Sequence, residues 1–375
     1  MALRARARIN LAAIERNVAH LRSGLTGDAQ LCAVVKANAS GHGAVPVARA
    51  ALAGGATRLA VATALEAAEL RAGGLSAPIL IMGAISDEEL SVALDSGAEL
   101  TAWSSEFVAE LDRAAVAPLA VHVKFDTGMG RLGTRDLDDA LSVADRVLGS
   151  ERLRLAGAMT HLATADGDPA FMAAQLRAFA PFAAAMRERA PGVLVHAANS
   201  AATVREPASH HDMVRCGIAL YGCDPMNEDP DRHGLEPALE LSSYVAAVKR
   251  ARPGQSAGYN RRFIAGADTW LATLPIGYAD GVARTLGNNC DVLIGGQRYP
   301  LVGTVSMDNV TVALGATQPA GVRPGTAVTI IGRQGTERQT TEDLANRAGT
   351  IGHDILCGIS ARVTREYHRD GVPVS

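Results

Sequence analysis

Lysine is scarce in this 375-residue chain: of 36 basic side chains only Lys36, Lys124 and Lys249 are lysine, the rest being arginine. A GC-rich coding composition accounts for the scarcity but does not choose the positions, so each amine invites the question of what an ammonium or a nucleophile does there that a guanidinium cannot. Lys36 closes the apolar run CAVVK. A lysine ending a buried strand is dehydrated, which favours the free amine that forms a Schiff base with an aldehyde. Pairing with a carboxylate at the strand end is the structural alternative. Further along come Lys124 with Asp126 two residues on, His161 after the run 154–159, Asn199-Ser200, and Arg215-Cys216-Gly217-Ile218.

Those residues punctuate a regular alternation. Short β-like runs at 31–36, 58–62, 78–82, 98–102, 119–125, 154–159, 193–196 and 213–216 are separated by alanine-rich stretches whose apolar residues recur every three or four positions. Asp87 and Ser105 stand where helix N-caps are expected. Eight strands, each followed by a helix or helical turn, predict a parallel (β/α)8 TIM-type barrel; a doubly wound open sheet is the alternative and usually needs fewer strands. From about residue 236 the pieces become shorter, β-rich and punctuated by Gly and Pro, at 241–249, 269–275, 291–294, 297–305, 310–314 and 327–331. That spacing predicts a mostly antiparallel C-terminal β domain. The polar run DPMNEDPDRHG (224–234) reads as the linker, and the alternating segment 4–11 as a strand that pairs with the second domain. The expected division is 11–235 for the barrel, and 1–10 with 236–375 for the β domain.

In a closed parallel barrel functional groups gather at the C-terminal strand ends, and the first and eighth strands are neighbours. Lys36, Lys124, His161, Ser200 and Arg215 would then meet. The loops after the seventh and eighth strands are the usual phosphate site, and here they hold Ser200, Gly217 and Ile218. Pyridoxal 5'-phosphate (PLP) offers both an aldehyde and a phosphate. Taken singly, Ser200 also reads as a helix N-cap and His161 as a packed core residue, and Cys216 reads as a buried thiol.

Nine collinear segments spanning nearly the whole chain resemble the alanine racemase family: AVVKANASGHG (33–43), VKFDTGMGRLG (123–133), THLATAD (160–166), HAANSAAT (196–203), MVRCGIALYG (213–222), GYNRRF (258–263), LPIGYADG (274–281), GTVSMDN (303–309) and CGISARVTREY (357–367). The resemblance implies a PLP-binding barrel, a C-terminal β domain and a head-to-tail homodimer with shared active sites, acting on a small amino acid. Position by position, it implies that Lys36 carries the cofactor and is one of two opposed bases, with Tyr259 the other, delivered from the second subunit. Arg215 would bond the pyridine nitrogen, His161 would sit near the ring, and Ser200, Gly217 and Ile218 would hold the phosphate. Arg131 would bind the substrate carboxylate, supported by a carbamylated Lys124. Met307 and Asp308 would come from the partner, while Tyr278 and Asp166 would line the inner entrance.

This chain departs from the family pattern at four places. Ser40 and Ala361 stand where tyrosines ordinarily bond the phosphate, Thr304 replaces an entrance arginine, and Ser306 replaces a cysteine. Two lost neutral hydrogen bonds cost about 0.5–1.5 kcal/mol each, part of it recoverable through water. PLP is expected to stay bound, in a wider and less cationic pocket. The reading is therefore an alanine-interconverting racemase, with a racemase of a larger amino acid such as serine, or a PLP-binding homologue with little racemase activity, as alternatives.

Composition sets the outer bounds. With 48% hydrophobic and 20% charged residues the chain can bury a sizeable core, and a formal net charge of -3 gives no excess that would draw nucleic acid or an acidic membrane. Five cysteines, an odd number with no CxxC spacing, point to a reducing cytoplasm without disulfides or zinc. The opening MALRARARIN lacks a signal peptide's apolar core, and no window approaches a membrane span.

Overall fold

The short apolar runs between residues 30 and 216 form one sheet, most of them covered by the amphipathic helix that follows. In the computed structural model, which describes residues 4–374, β1 is Arg6–Asn10, and eight parallel strands follow. They are β2 (Gln30–Val34), β3 (Arg58–Val61), β4 (Ile79–Ile81), β5 (Glu99–Ala102), β6 (Leu119–Lys124), β7 (Leu153–Met159), β8 (Leu194–His196) and β9 (Met213–Cys216). Their order, β8-β7-β6-β5-β4-β3-β2-β9, brings the last strand beside the first, as the alternation predicts for a barrel. The seam between β8 and β9 is bridged by the Asp212 N–H on the Val195 carbonyl and the Arg215 N–H on the Ala198 carbonyl, each 3.0 Å. Cys32, Ala60, Leu80 and Met213 pack together on the inner face, while Leu31, Leu59, Ile79, Ile81 and Leu100 alternate with the inward residues and are buried on the helix-facing side.

Local chemistry sets the helix starts. Ser104 accepts from the Phe107 N–H, and Thr63 forms a reciprocal box with Glu66. The caps expected at Asp87 and Ser105 lie one residue earlier, at Ser86 and Ser104, because a serine already precedes each helix and supplies the extended cap residue.

The chain divides into two compact units: 14–39 with 43–220, which contains the barrel, and 4–13 with 40–42 and 221–374. The first three residues and Ser375, included in the expected domain bounds, lie outside the described residues. The second unit is built on an eleven-stranded, largely antiparallel sheet. Toward one end of its strand order β1 pairs antiparallel with β10 (Leu239–Tyr244) and parallel with the strand Thr364–Arg369. The run 241–249 was expected as a single strand and is two. Val245 donates to the Thr326 carbonyl and Ala246 to the Thr273 carbonyl, so adjacent residues join different neighbours and the strand breaks between them. The supposed linker is anchored: Asp224 is buried, its N–H bonds Glu342 at 2.8 Å, and Arg338 pairs with Asp229 and Asp231.

Candidate active site

β2 ends at Val34, so Lys36 lies two residues past the strand and is exposed, where dehydration at a strand end was expected. The cause is an unusual turn. Ala37, Asn38 and Ala39 all hold φ and ψ near +50°, a left-handed helical turn of L-residues that costs about 1–2 kcal/mol per residue. Hydrogen bonds over-determine it: Ala39 N–H to Val35 O (2.8 Å), Gly43 N–H to Asn38 O (2.9 Å), Ala44 N–H to Asn38 Oδ1 (2.8 Å) and Ala37 N–H to Glu66 Oε1 (2.6 Å). The strained turn lifts Lys36 out of the sheet at the barrel mouth.

Lys124 ends β6 and is buried; desolvation, then the positive charges of Arg131 and Arg215, lower its pKa to about 8. The next loop carries Arg131, and Asp126 shapes it by accepting the N–H groups of Gly128 (3.1 Å), Met129 (2.8 Å) and Gly130 (3.0 Å). Beyond β7, His161 is pushed down to about 3 by burial, then by the charges of Arg215, Arg131, Lys124 and Lys36. The imidazole is thus neutral in a positive field, with Arg215 in direct contact at 3.3 Å. Gln175 fixes that loop by donating to the His161 carbonyl and accepting the Ala163 N–H.

After β8 the helix cap is Asn199, which accepts the Ala202 N–H, so the N-cap reading of Ser200 does not hold. The Ser200 hydroxyl instead accepts the Gly217 N–H at 2.9 Å, tying the two loops expected to hold phosphate. Ile218 opens the short turn beyond and is buried. Arg215, on β9, is buried and held at four points: its Nη1 donates to His196 Nδ1 (2.8 Å), and its Nη2 reaches Thr160 O (2.8 Å), Ala197 O (3.1 Å) and His161 Nδ1 (3.3 Å). Cys216 is a buried thiol, pushed up to about 11 by desolvation.

The remaining expected residues gather in the other unit. Tyr259, exposed at 67%, sits on a short turn behind Gly258. Gly258 is required there: its φ is +73°, and an added Cβ would lie 2.9 Å from the Thr304 nitrogen. Thr304 donates its hydroxyl to the Tyr259 carbonyl (3.0 Å), so the residue that departs from the family pattern steadies the tyrosine turn. Tyr259 lines an open cleft of about 430 Å³ with Ser306, Met307, Asp308 and Asn309. Tyr278 joins this group by donating its N–H to Ser306 O (3.0 Å), and Arg362 clamps the loop through Asp308 (2.8 Å) and Asp280 (2.6 Å).

The barrel donors suit PLP. An exposed amine, a serine hydroxyl beside loop amides and a buried guanidinium stand at the strand ends of one barrel, so a phosphate-bearing aldehyde meets both an amine and a complementary positive field.

Comparison with known proteins agrees. Residues 9–225 match the family model "Alanine racemase, N-terminal domain" and 238–367 match "Alanine racemase, C-terminal domain". The chain belongs to the alanine racemase family. It is 39% identical over 372 residues to alanine racemase 1 of Bacillus subtilis, covering 97% of this chain and 93% of that protein. The alanine racemase of Geobacillus stearothermophilus is 39% identical over 368 residues, covering 97% and 93%. Among solved structures, alanine racemase from Streptomyces lavendulae superposes with a TM-score of 0.92 at 34% identity, covering 98% of each chain. The Bacillus anthracis enzyme with bound L-Ala-P gives 0.91 at 38%, covering 100% of this chain and 97% of that one. PLP is the cofactor of the alanine racemase family, and the chain is accordingly a PLP-dependent isomerase on a barrel plus a C-terminal β domain.

Sequence reasoning missed the polar residues inside the barrel: Glu99, His122 and His196, all buried, with Arg58 beside Glu99. Their one signal was a charged or imidazole side chain inside an otherwise apolar strand.

Proposed function

We propose that this racemase interconverts L- and D-alanine by proton removal on one face of the α-carbon and return on the other, with Lys36 and Tyr259 as the two bases. The buried Arg215, bonded to His161 Nδ1 at 3.3 Å on the strand paired with the one that leads to Lys36, carries the reading. Bound PLP supplies an electron-withdrawing ring that acidifies the α-carbon's proton. Lys36 would hold the cofactor, Ser200 with the Gly217 and Ile218 amides its phosphate, and His161 would flank its ring. Arg215, lowered to about 10 by desolvation, stays protonated at neutral pH and only donates, so it disfavours a proton on the ring nitrogen and restrains side reactions. Arg131 and the Met307 N–H would take the substrate carboxylate, with a carbamylated Lys124 holding Arg131, while Asp308, Tyr278 and Asp166 shape the entrance.

The second base lies on the other unit, and a head-to-tail homodimer in which each chain lends Tyr259 to its partner's barrel completes the site. A cytoplasmic enzyme suits five free cysteines, four of them buried. Among the described residues no helix is long and apolar enough to cross a membrane. The test is borohydride reduction of the PLP-loaded protein followed by peptide mapping, alongside incubation of each alanine enantiomer in D2O. The label should fall on Lys36 and both enantiomers should exchange the α-proton. Label on Lys249, or no exchange with cofactor bound, overturns the reading.

A further inference from the structure

A line of hydrogen-bonded side chains runs through the barrel from the strand starts to its mouth. Arg58, the first residue of β3, donates to Glu99 Oε2 (2.6 Å), the first residue of β5. The same oxygen faces His122 Nε2 (2.9 Å) in β6, His122 Nδ1 faces His196 Nε2 (2.9 Å) at the end of β8, and His196 Nδ1 faces Arg215 (2.8 Å). Both imidazoles are fully buried.

The contacts leave one arrangement of protons. A guanidinium only donates, so His196 Nδ1 accepts. The ring must then carry its proton on Nε2 and give it to His122 Nδ1, which leaves the His122 proton on Nε2, aimed at the carboxylate. Neither histidine can be charged without setting donor against donor. Burial disfavours the charged form of both rings, and bonds from His122 and Arg58 outweigh burial to hold Glu99 down to about 2. Space is reserved for the relay as well: a Cβ added at Gly157 would lie 2.0 Å from His122 Nδ1.

We propose that Glu99 is a positioning residue for racemisation: acting through His122 and His196, its carboxylate fixes the proton order that presents an acceptor to Arg215 and so holds that guanidinium toward the cofactor ring. Every hydrogen-bond partner of Arg215 named above is neutral, and without the terminal acceptor only Arg215 itself opposes reversal of the two tautomers, which would turn an N–H of His196 against it. The proposal rests on the assignment of Arg215 to the ring nitrogen.

The test uses histidine-selective 15N NMR on the protein with and without PLP. The wild type should show His122 and His196 neutral and protonated on Nε2; a proton on Nδ1, or a charged ring at neutral pH, overturns the proposal. Glu99→Leu should mix the tautomers, displace the absorption band of bound PLP and lower kcat/KM by roughly 3- to 30-fold. Glu99→Gln, whose amide oxygen can accept both existing bonds, should retain the tautomers and most of the activity. Gly157→Ala, which crowds His122 directly, should reproduce the leucine variant. A merely structural role would lower thermal stability while leaving tautomers and absorption untouched, and that result also overturns the proposal. If Glu99→Leu fails to fold, the wild-type tautomers and the glutamine variant still decide. Failure to bind PLP would sink the cofactor assignment instead, and the tautomers of the ligand-free protein would remain readable.

Discussion

Lys124 combines burial with two neighbouring arginines, so its amine is close to half neutral near pH 8 instead of remaining charged to 10.5. An unfolded lysine keeps its proton up to the higher value, so between about 8 and 10.5 the unfolded state binds more protons and stability rises with pH. Below that window the buried ammonium is a standing cost. Lys124→Met should therefore raise the thermal midpoint at pH 7 in carbon dioxide-free buffer and flatten the rise toward pH 10. The neutral amine is also the form that adds to carbon dioxide, losing a proton to give a carbamate. Protein equilibrated with 13C-bicarbonate should give a carbamate resonance that the methionine variant lacks, and its absence from the wild type would remove carbamylation from the site. Lys36, Lys124, His161 and Arg215 were legible in the sequence because they stand at or near the C-terminal ends of the strands, where a barrel gathers its functional groups. Glu99, His122 and His196 were not, since they stand at the start, the middle and the end of three different strands, and only closure of the barrel tells which polar side chains meet.

Two short elements deserve their own tests. The loop that follows β6 is held by one carboxylate accepting three backbone N–H groups, and Asp126→Ala leaves those donors without it. A loss of about 1–3 kcal/mol is expected. If the loop positions Arg131 for a substrate carboxylate, KM for alanine should rise about tenfold with kcat less affected, whereas an equal fall in both would point to a role in the chemical step. The turn after Lys36 predicts the opposite sign of effect. Ala37 is exposed and has a φ of 54°, so Ala37→Gly should stabilise the protein by about 0.5–1 kcal/mol, relief of strain exceeding the added entropy of glycine. Chemical denaturation measures it. Nothing in KANAS signals a left-handed turn, because alanine favours the right-handed helix and asparagine alone tolerates the mirror form. The split of 241–249 was hidden for a related reason: the run is locally uniform, and two distant strands, beginning to each side of it, compete for adjacent residues.

At the scale of the molecule the count of eight β-like runs was enough to foresee the barrel, since a parallel strand needs its crossover and the crossover leaves a long amphipathic trace. What a count cannot supply is the source of the second base. Mixing inactive Lys36→Ala with inactive Tyr259→Phe should restore about a quarter of the sites when subunits exchange at random, because half the chains then lie in mixed dimers with one intact site. Unchanged inactivity, with exchange verified by mass, would argue against a shared site. The pairing of β1 has a further consequence, for the order of events during synthesis. Residues 6–10 leave the ribosome before any barrel strand, yet their two neighbours in the sheet are residues 239–244 and 364–369. The barrel's strands lie between and can associate as they emerge, while one edge of the first strand waits for residues 239–244 and the other for residues 364–369. Arrested nascent chains ending near residue 300 should accordingly resist protease through the barrel and be clipped ahead of it, and protection of residues 6–10 should come last.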